Sequence, residues 1–241
     1  MKRKRVHRIL LKALLVLLVA SLGFVLITAL PVLGLRWIDP PTSAFMIRKS
    51  IQAWVDGRKD YRVHYEWVDG DNISPWAGLA VVAAEDQKFP THWGFDFDSI
   101  RKALEDNPNR ARPRGASTIT QQVAKNLFLW PGRSLVRKGL EAYLTLLIEG
   151  LWPKRRILEI YLNIAQFGPG FFGVGSASQW YFDKPPSRLS REQAALLAAV
   201  LPNPNRYRVS RPGPYVQERT WEIMEQMRML GGPDYLRSLG S

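Results

Sequence analysis

Residues 13–35 run for 23 positions without a charge, and no other feature restricts the chain so tightly. Inside hydrocarbon every backbone N–H and C=O must be satisfied within its own segment, so such a run folds as a helix. It is long enough to cross roughly 30 Å of apolar lipid. Ser21, Gly23, Thr28 and Pro31 are tolerable within it. Lys2, Arg3, Lys4, Arg5, Arg8 and Lys12 precede the run with no acid among them, which predicts a cytoplasmic N-terminus and an outward-facing remainder. A cleaved signal peptide is the competing reading. Its apolar core is normally shorter, and Ala20-Ser21-Leu22 and Thr28-Ala29-Leu30 are weak cleavage sites. The expected organisation is a basic tail (1–12), an uncleaved anchor (13–35), a membrane-proximal segment (36–74) and one catalytic domain (75–241).

The chain of 241 residues is long enough to bury a sizeable core beyond that anchor. Net charge is +13, and the part after the basic tail is itself basic. Such an excess suits an anionic partner: nucleic acid, a lipid headgroup surface or a phosphorylated substrate. There is no cysteine, which excludes disulfides, thiolate chemistry and cysteine-held zinc. His7, His64 and His92 are too few for a histidine-rich metal site.

Residues 81–96 (VVAAEDQKFPTHWGFD) concentrate the chemistry. A short apolar run delivers Glu85 and Asp86 to its end, and a carboxylate there is costly unless paired, hydrogen-bonded or used. On a helix the two point about 100° apart, so one at most faces a given cleft. Pro90 and Gly94 end the helix, which leaves both acids near its C-terminus, where the dipole disfavours negative charge. The plain reading is a helix-end acid paired with Arg or Lys.

Elsewhere the signals are local. Tandem Pro40-Pro41 makes a turn, and residues 43–55 suit a short amphipathic helix, either membrane-hugging or packed in the core. Residues 61–68 alternate weakly as a strand and 69–74 form a turn before Pro75 opens the catalytic module. The D-x-D of Asp96 and Asp98 is a frequent chance pattern, and a structural aspartate is expected there. The S-x-x-K of Ser99 and Lys102 lacks a following K-T-G. Ser117 or Thr118 caps a helix to about Leu129 whose polar face carries Thr118, Gln121, Gln122 and Lys125, with Ile119, Val123 and Leu127 beside it. Such a face at a helix start suits an anion, although residue types alone also fit an ordinary surface helix. Arg137 and Lys138 lie four and three positions before Glu141, the spacing of a helical ion pair. Residues 153–163 carry core-spaced Ile157, Leu158, Tyr161 and Leu162, and 168–170 form a loop. Ser190-x-x-Gln193 is a capping box that opens a helix ending at Pro202, and 216–230 form another amphipathic helix.

Taken in order, Glu85-Asp86-Gln87-Lys88-Phe89 with His92 and Gly94, then GASTITQQVAKN, then Arg137-Lys138 with Glu141, then ILEIYLN, then a segment ending YFDK resemble five motifs of one family. It is that of the peptidoglycan transglycosylases, glycan-polymerising enzymes that also form the N-terminal module of bifunctional penicillin-binding proteins. Ala116 stands where the family has a second glycine, a small-for-small change. The resemblance implies a mainly α, lysozyme-like transglycosylase domain preceded by a single transmembrane helix in the bacterial inner membrane, with its catalytic domain on the periplasmic face. It implies lipid II as substrate, transfer with inversion, and release of undecaprenyl pyrophosphate. Glu85 is then the catalytic base and Glu141 the second catalytic glutamate. Lys88, Ser117, Thr118, Gln121, Gln122, Lys125, Asn126, Arg133, Arg137 and Lys138 become substrate-binding residues. A divalent cation, Mg or Mn, near Glu141 is an alternative source of charge stabilisation. Expected partners are the nascent glycan strand, membrane lipid and cell-wall synthesis or division proteins, with no nucleic acid. Two competing functions are a membrane-bound muramidase of the same fold and a non-catalytic lipid-phosphate-binding protein.

Overall fold

The computed structural model describes residues 2–106, 117–130, 132 and 134–239. The chain divides into two compact units, one ending at Ile38 and one beginning at Asp39. The first is helix α1 (Lys2–Gly34), which runs through Pro31 and includes the basic residues expected as a tail. Within it Leu10–Gly34, 25 residues of mean hydropathy 2.8, is the one described helix long and apolar enough to cross a membrane. Its polar Thr28 returns its hydroxyl to the carbonyl of Phe24 at 2.8 Å, so the apolar stretch exposes no free donor there.

The second unit is mainly helical. Its helices are α2 (Ala44–Val55), α3 (Pro75–Glu85), α4 (Phe97–Asp106), α5 (Ile119–Phe128), α6 (Leu135–Leu151), α7 (Lys154–Ile164), α8 (Val174–Phe182), α9 (Arg191–Val200) and α10 (Pro214–Met229). Ser43 caps α2, accepting from the Met46 N–H at 3.2 Å. The apolar residues of α2 divide: Met46 and Ala53 are buried, whereas Ile47, Ile51 and Trp54 are exposed.

The strand expected over 61–68 shrinks to β1 (His64–Tyr65). Alternation is present, with Arg62, His64 and Glu66 exposed between partly buried neighbours. The partner sets the length: β3 (Phe171–Phe172) is two residues long, runs parallel to β1, and pairs antiparallel with β2 (Gln166–Gly168). Gly170 turns the β2–β3 connection at φ +84°, and a Cβ there would lie 2.5 Å from the Arg62 carbonyl, so only glycine fits.

α3 is the core element. Pro75 occupies its first turn, where no N–H is needed, and Ala77 through Ala83 are all buried. A helix apolar on every side belongs inside, and α3 is packed by α7, α9 and α10. The expected capping box on α9 is formed: the Ser190 hydroxyl accepts from the Gln193 N–H at 3.2 Å, and the Gln193 amide oxygen accepts from the Ser190 N–H at 3.1 Å. α5 packs against α6 and α7, which brings the second and third motifs to the end of α3.

Candidate active site

α3 stops at Glu85. Asp86 leaves helical geometry at φ −160°, ψ 73°, before Pro90 is reached, and the two adjacent carboxylates diverge. Asp86 turns inward. Its Oδ2 accepts the Ile119 N–H at 2.9 Å, and Nε2 of His92 lies 2.8 Å from its Oδ1. One buried carboxylate thereby ties the first N–H of α5 to the last turn of α3. Gly94, at φ +80°, completes the joint: a Cβ there would meet Thr145 Cγ2 of α6 at 2.6 Å. The Thr118 hydroxyl donates to the Gly94 carbonyl at 2.7 Å. Further along α5, Thr120 donates at 2.6 Å to buried Glu149, which also receives Lys154 at 2.8 Å.

Glu85 points the other way. Gln122 Nε2 donates to its Oε2 at 2.8 Å, and the Gln122 carbonyl accepts from the buried Tyr161 hydroxyl at 3.1 Å. Arg219, from α10, donates through Nη2 to the carbonyl of Ala84 at 3.0 Å. Burial raises the Glu85 pKa above the ordinary carboxylate value. The Gln122 hydrogen bond and the charges of Arg219 and Lys125 pull it back, and Asp86 adds to the rise.

Lys125 lies one turn along α5 from Gln122. Burial lowers its pKa, opposed by the negative charges of Glu141 and Glu85 and assisted by the positive ones of Arg137 and Lys138. Glu141 itself is 2 % exposed. Its Oε2 accepts from Arg137 at 3.0 Å, and its Oε1 pairs with Lys138. A carboxylate at the end of α3 and three cations on α5 and α6 are thus linked through Lys125, a layout suited to drawing a proton from one group while stabilising an anion nearby.

Residues 51–228 match a family described as Transglycosylase. The chain belongs to that family. It is 56 % identical over 233 residues to a biosynthetic peptidoglycan transglycosylase of Cronobacter sakazakii, covering 96 % of this chain and 93 % of that protein. A biosynthetic peptidoglycan transglycosylase of Escherichia coli is likewise 56 % identical over 234 residues, with the same coverage of both chains. This transglycosylase is therefore a glycosyltransferase of mainly α, lysozyme-like fold.

The transglycosylase places Gln122 and Lys125 beside Glu85, and Lys125 in turn lies in the field of Arg137, Lys138 and Glu141. Thr118 and Gln121 are engaged differently. They form a capping box at the start of α5, in which Thr118 Oγ1 accepts from the Gln121 N–H at 3.2 Å and Gln121 Oε1 accepts from the Thr118 N–H at 3.0 Å. Both are buried, whereas neighbouring Ser117 is exposed and Asn126 partly buried. Lys88 stands out in solvent, 2.7 Å from Asp98 and 3.7 Å from Asp96. Asp96 caps α4, accepting the Ser99 N–H at 3.0 Å, which is the structural role expected for the D-x-D pattern. Arg133, and residues 114–116 of the second motif, lie outside the described residues.

Both oxygens of Glu141 are occupied by Arg137 and Lys138. Among the described residues no three His, Cys, Asp or Glu side chains cluster to hold an ion. Among the described residues the oxygens of Glu141 are thus committed to Arg137 and Lys138 and do not fit a divalent cation, and the side-chain cations are the charge on hand. Neither Tyr161 nor Arg219 carries a sequence signal for a role at this site. Tyr161 reads as a core residue of α7, which it also is, and Arg219 sits in an amphipathic helix with no motif around it. For Asp86 and His92 the signal was present in the first motif, without a role attached.

Proposed function

We propose that the enzyme polymerises lipid II, the undecaprenyl-pyrophosphate-linked disaccharide-pentapeptide, with Glu85 as general base. A sugar hydroxyl is a poor nucleophile, so its proton must be removed as it attacks the anomeric carbon of the donor. Glu85 takes that proton. The new glycosidic bond forms as the anomeric C–O bond to pyrophosphate breaks on the opposite face, and configuration inverts. The leaving group departs as an anion and needs charge stabilisation more than an acid, which Lys125, Arg137 and Lys138 supply. Gln122, oriented by Tyr161, holds the carboxylate. Glu141 holds Arg137 and Lys138 side by side.

The observation that carries this reading is Glu85 itself: a carboxylate made more basic by burial, hydrogen-bonded to Gln122, within the field of Lys125. Glu85→Gln is the test, since it preserves size and removes the proton acceptor. Lipid II should bind near normally, and polymer on a gel should fall by about a hundredfold or more. Wild type should lengthen strands and leave preformed, lipid-free strands uncut; new reducing ends from such strands would indicate a muramidase. Full polymerisation by Glu85→Gln would refute the assignment.

On the same reading Leu10–Gly34 is a single-pass inner-membrane anchor with its basic end in the cytoplasm. The catalytic unit then works on the periplasmic face, where donor and growing strand are both held by lipid. Membrane lipid and other cell-wall synthesis or division proteins are its expected neighbours.

A further inference from the structure

Glu85 occupies a place where a carboxylate is doubly disfavoured. It is the last residue of α3, where unpaired carbonyls give the helix a partial negative charge, and it is partly buried. Two side chains attend to those carbonyls. Gln87 Nε2 donates to the Ala83 oxygen at 3.1 Å, and Arg219 Nη2 donates to the Ala84 oxygen at 3.0 Å. Arg219 reaches across from α10 and is braced there by Glu222, 2.8 Å from its Nη1.

Among the described residues the charged and polar groups facing Glu85 come from four elements. Gln122 and Lys125 belong to α5, Arg219 to α10 and Asp86 to the end of α3, and Tyr161 of α7 stands behind Gln122. Lys125 is shared with Glu141, and in the proposed reaction it faces the pyrophosphate. Asp86 is committed to Ile119 and His92. Arg219 differs from these in binding the backbone that carries the base while lending its charge to it.

We propose that Arg219 is a positioning residue for glycosyl transfer, its guanidinium fixing the last turn of α3 and offsetting the negative helix end beside Glu85. This rests on the reading of Glu85 as the base. Removing the charge makes Glu85 easier to protonate, so its titration midpoint moves to higher pH. Holding the turn without the charge does not compensate.

The experiment uses the full-length enzyme in detergent, labelled with 13C at glutamate carboxyls and assigned by loss of the signal in Glu85→Gln. In Arg219→Met the Glu85 midpoint should rise by about one pH unit, and in Arg219→Lys it should stay near wild type. The acid limb of kcat/KM for lipid II should move with it, giving about a tenfold deficit below the limb. An unmoved Glu85 midpoint in Arg219→Met, or an equal rise in Arg219→Lys, overturns the proposal. A midpoint that rises while the acid limb stays put keeps the Arg219 contact and counts instead against Glu85 as base. If Arg219→Met does not fold, Glu222→Gln carries the test: freeing Arg219 of its counter-charge should lower the Glu85 midpoint, and an unmoved or raised value overturns the proposal.

Discussion

The amide of Gln122 is fixed at both ends, with its nitrogen 2.8 Å from Glu85 and its oxygen 3.1 Å from the hydroxyl of Tyr161. An amide free to rotate could present either end to a carboxylate. The Glu85 carboxylate accepts only and so takes the nitrogen, and the buried Tyr161 hydroxyl, donating to the oxygen, secures that orientation. Tyr161→Phe keeps the ring in the core and loses only that bond. With a neutral hydrogen bond worth about 1 kcal/mol, kcat should fall roughly fivefold while thermal unfolding shifts little. Turnover unchanged in Tyr161→Phe would mean that Gln122 needs no such support.

Glu85 should also register in stability. Its folded pKa is raised, so above the unfolded value the folded state carries the cost of a buried charge. Glu85→Gln should therefore unfold at the same or a higher temperature than wild type at neutral pH. The gap should close as pH falls through the folded pKa to the ordinary carboxylate range, where Glu85 is protonated in both states. Calorimetry across pH checks this, and a variant less stable at neutral pH contradicts it.

Lys125 follows the mirror-image logic. Burial depresses its pKa, so below that value its charge is held at a cost. Lys125→Met should leave the neutral-pH unfolding temperature unchanged or raised, while turnover on lipid II drops by about a hundredfold. A fold that melts early, with turnover per folded molecule intact, would make Lys125 structural.

Asp86 should behave in the opposite way. It accepts from Ile119 and His92 in a buried setting, and its loss strands both. Asp86→Ala should cost about 3 kcal/mol of stability, measured by denaturant unfolding, with Asp86→Asn milder. A cost below about 1 kcal/mol would remove Asp86 from the joint between α3 and α5.

Topology has its own check. A periplasm-dependent reporter fused after Ser241 should be active, and the fusion should keep its full-length mass. A mature form starting after residue 20 would identify the apolar helix as a signal peptide.

What was legible in the sequence was whatever one helix decides alone. The i, i+4 pairing of Arg137 with Glu141 and the capping box at Ser190 both follow from spacing within a single element, whereas α3 stops at its carboxylates before the Pro90 expected to end it. Thr118 and Gln121 show what such reasoning leaves out. A helical wheel puts Gln121 beside Gln122, yet the free N–H groups at a buried helix start take its side chain first. Tyr161 and Arg219 were illegible for another reason. Their partners, Gln122 and Ala84, are brought to them by packing from distant parts of the chain, and periodicity records nothing of that. The short strand is the same case, because the length of β1 is written in β3.

α3, buried from Ala77 to Ala83 among α7, α9 and α10, has no edge from which to fray. Its amides at Val82 and Ala83 should therefore exchange with deuterium only through opening of the whole unit, and not by local fluctuation. The carboxylate on its last turn inherits that property: it is lost when the fold is lost. Core lesions on an element that carries none of the site's side chains, such as at Leu197 of α9, should then thin the population of active molecules without reshaping the pH profile of those that remain.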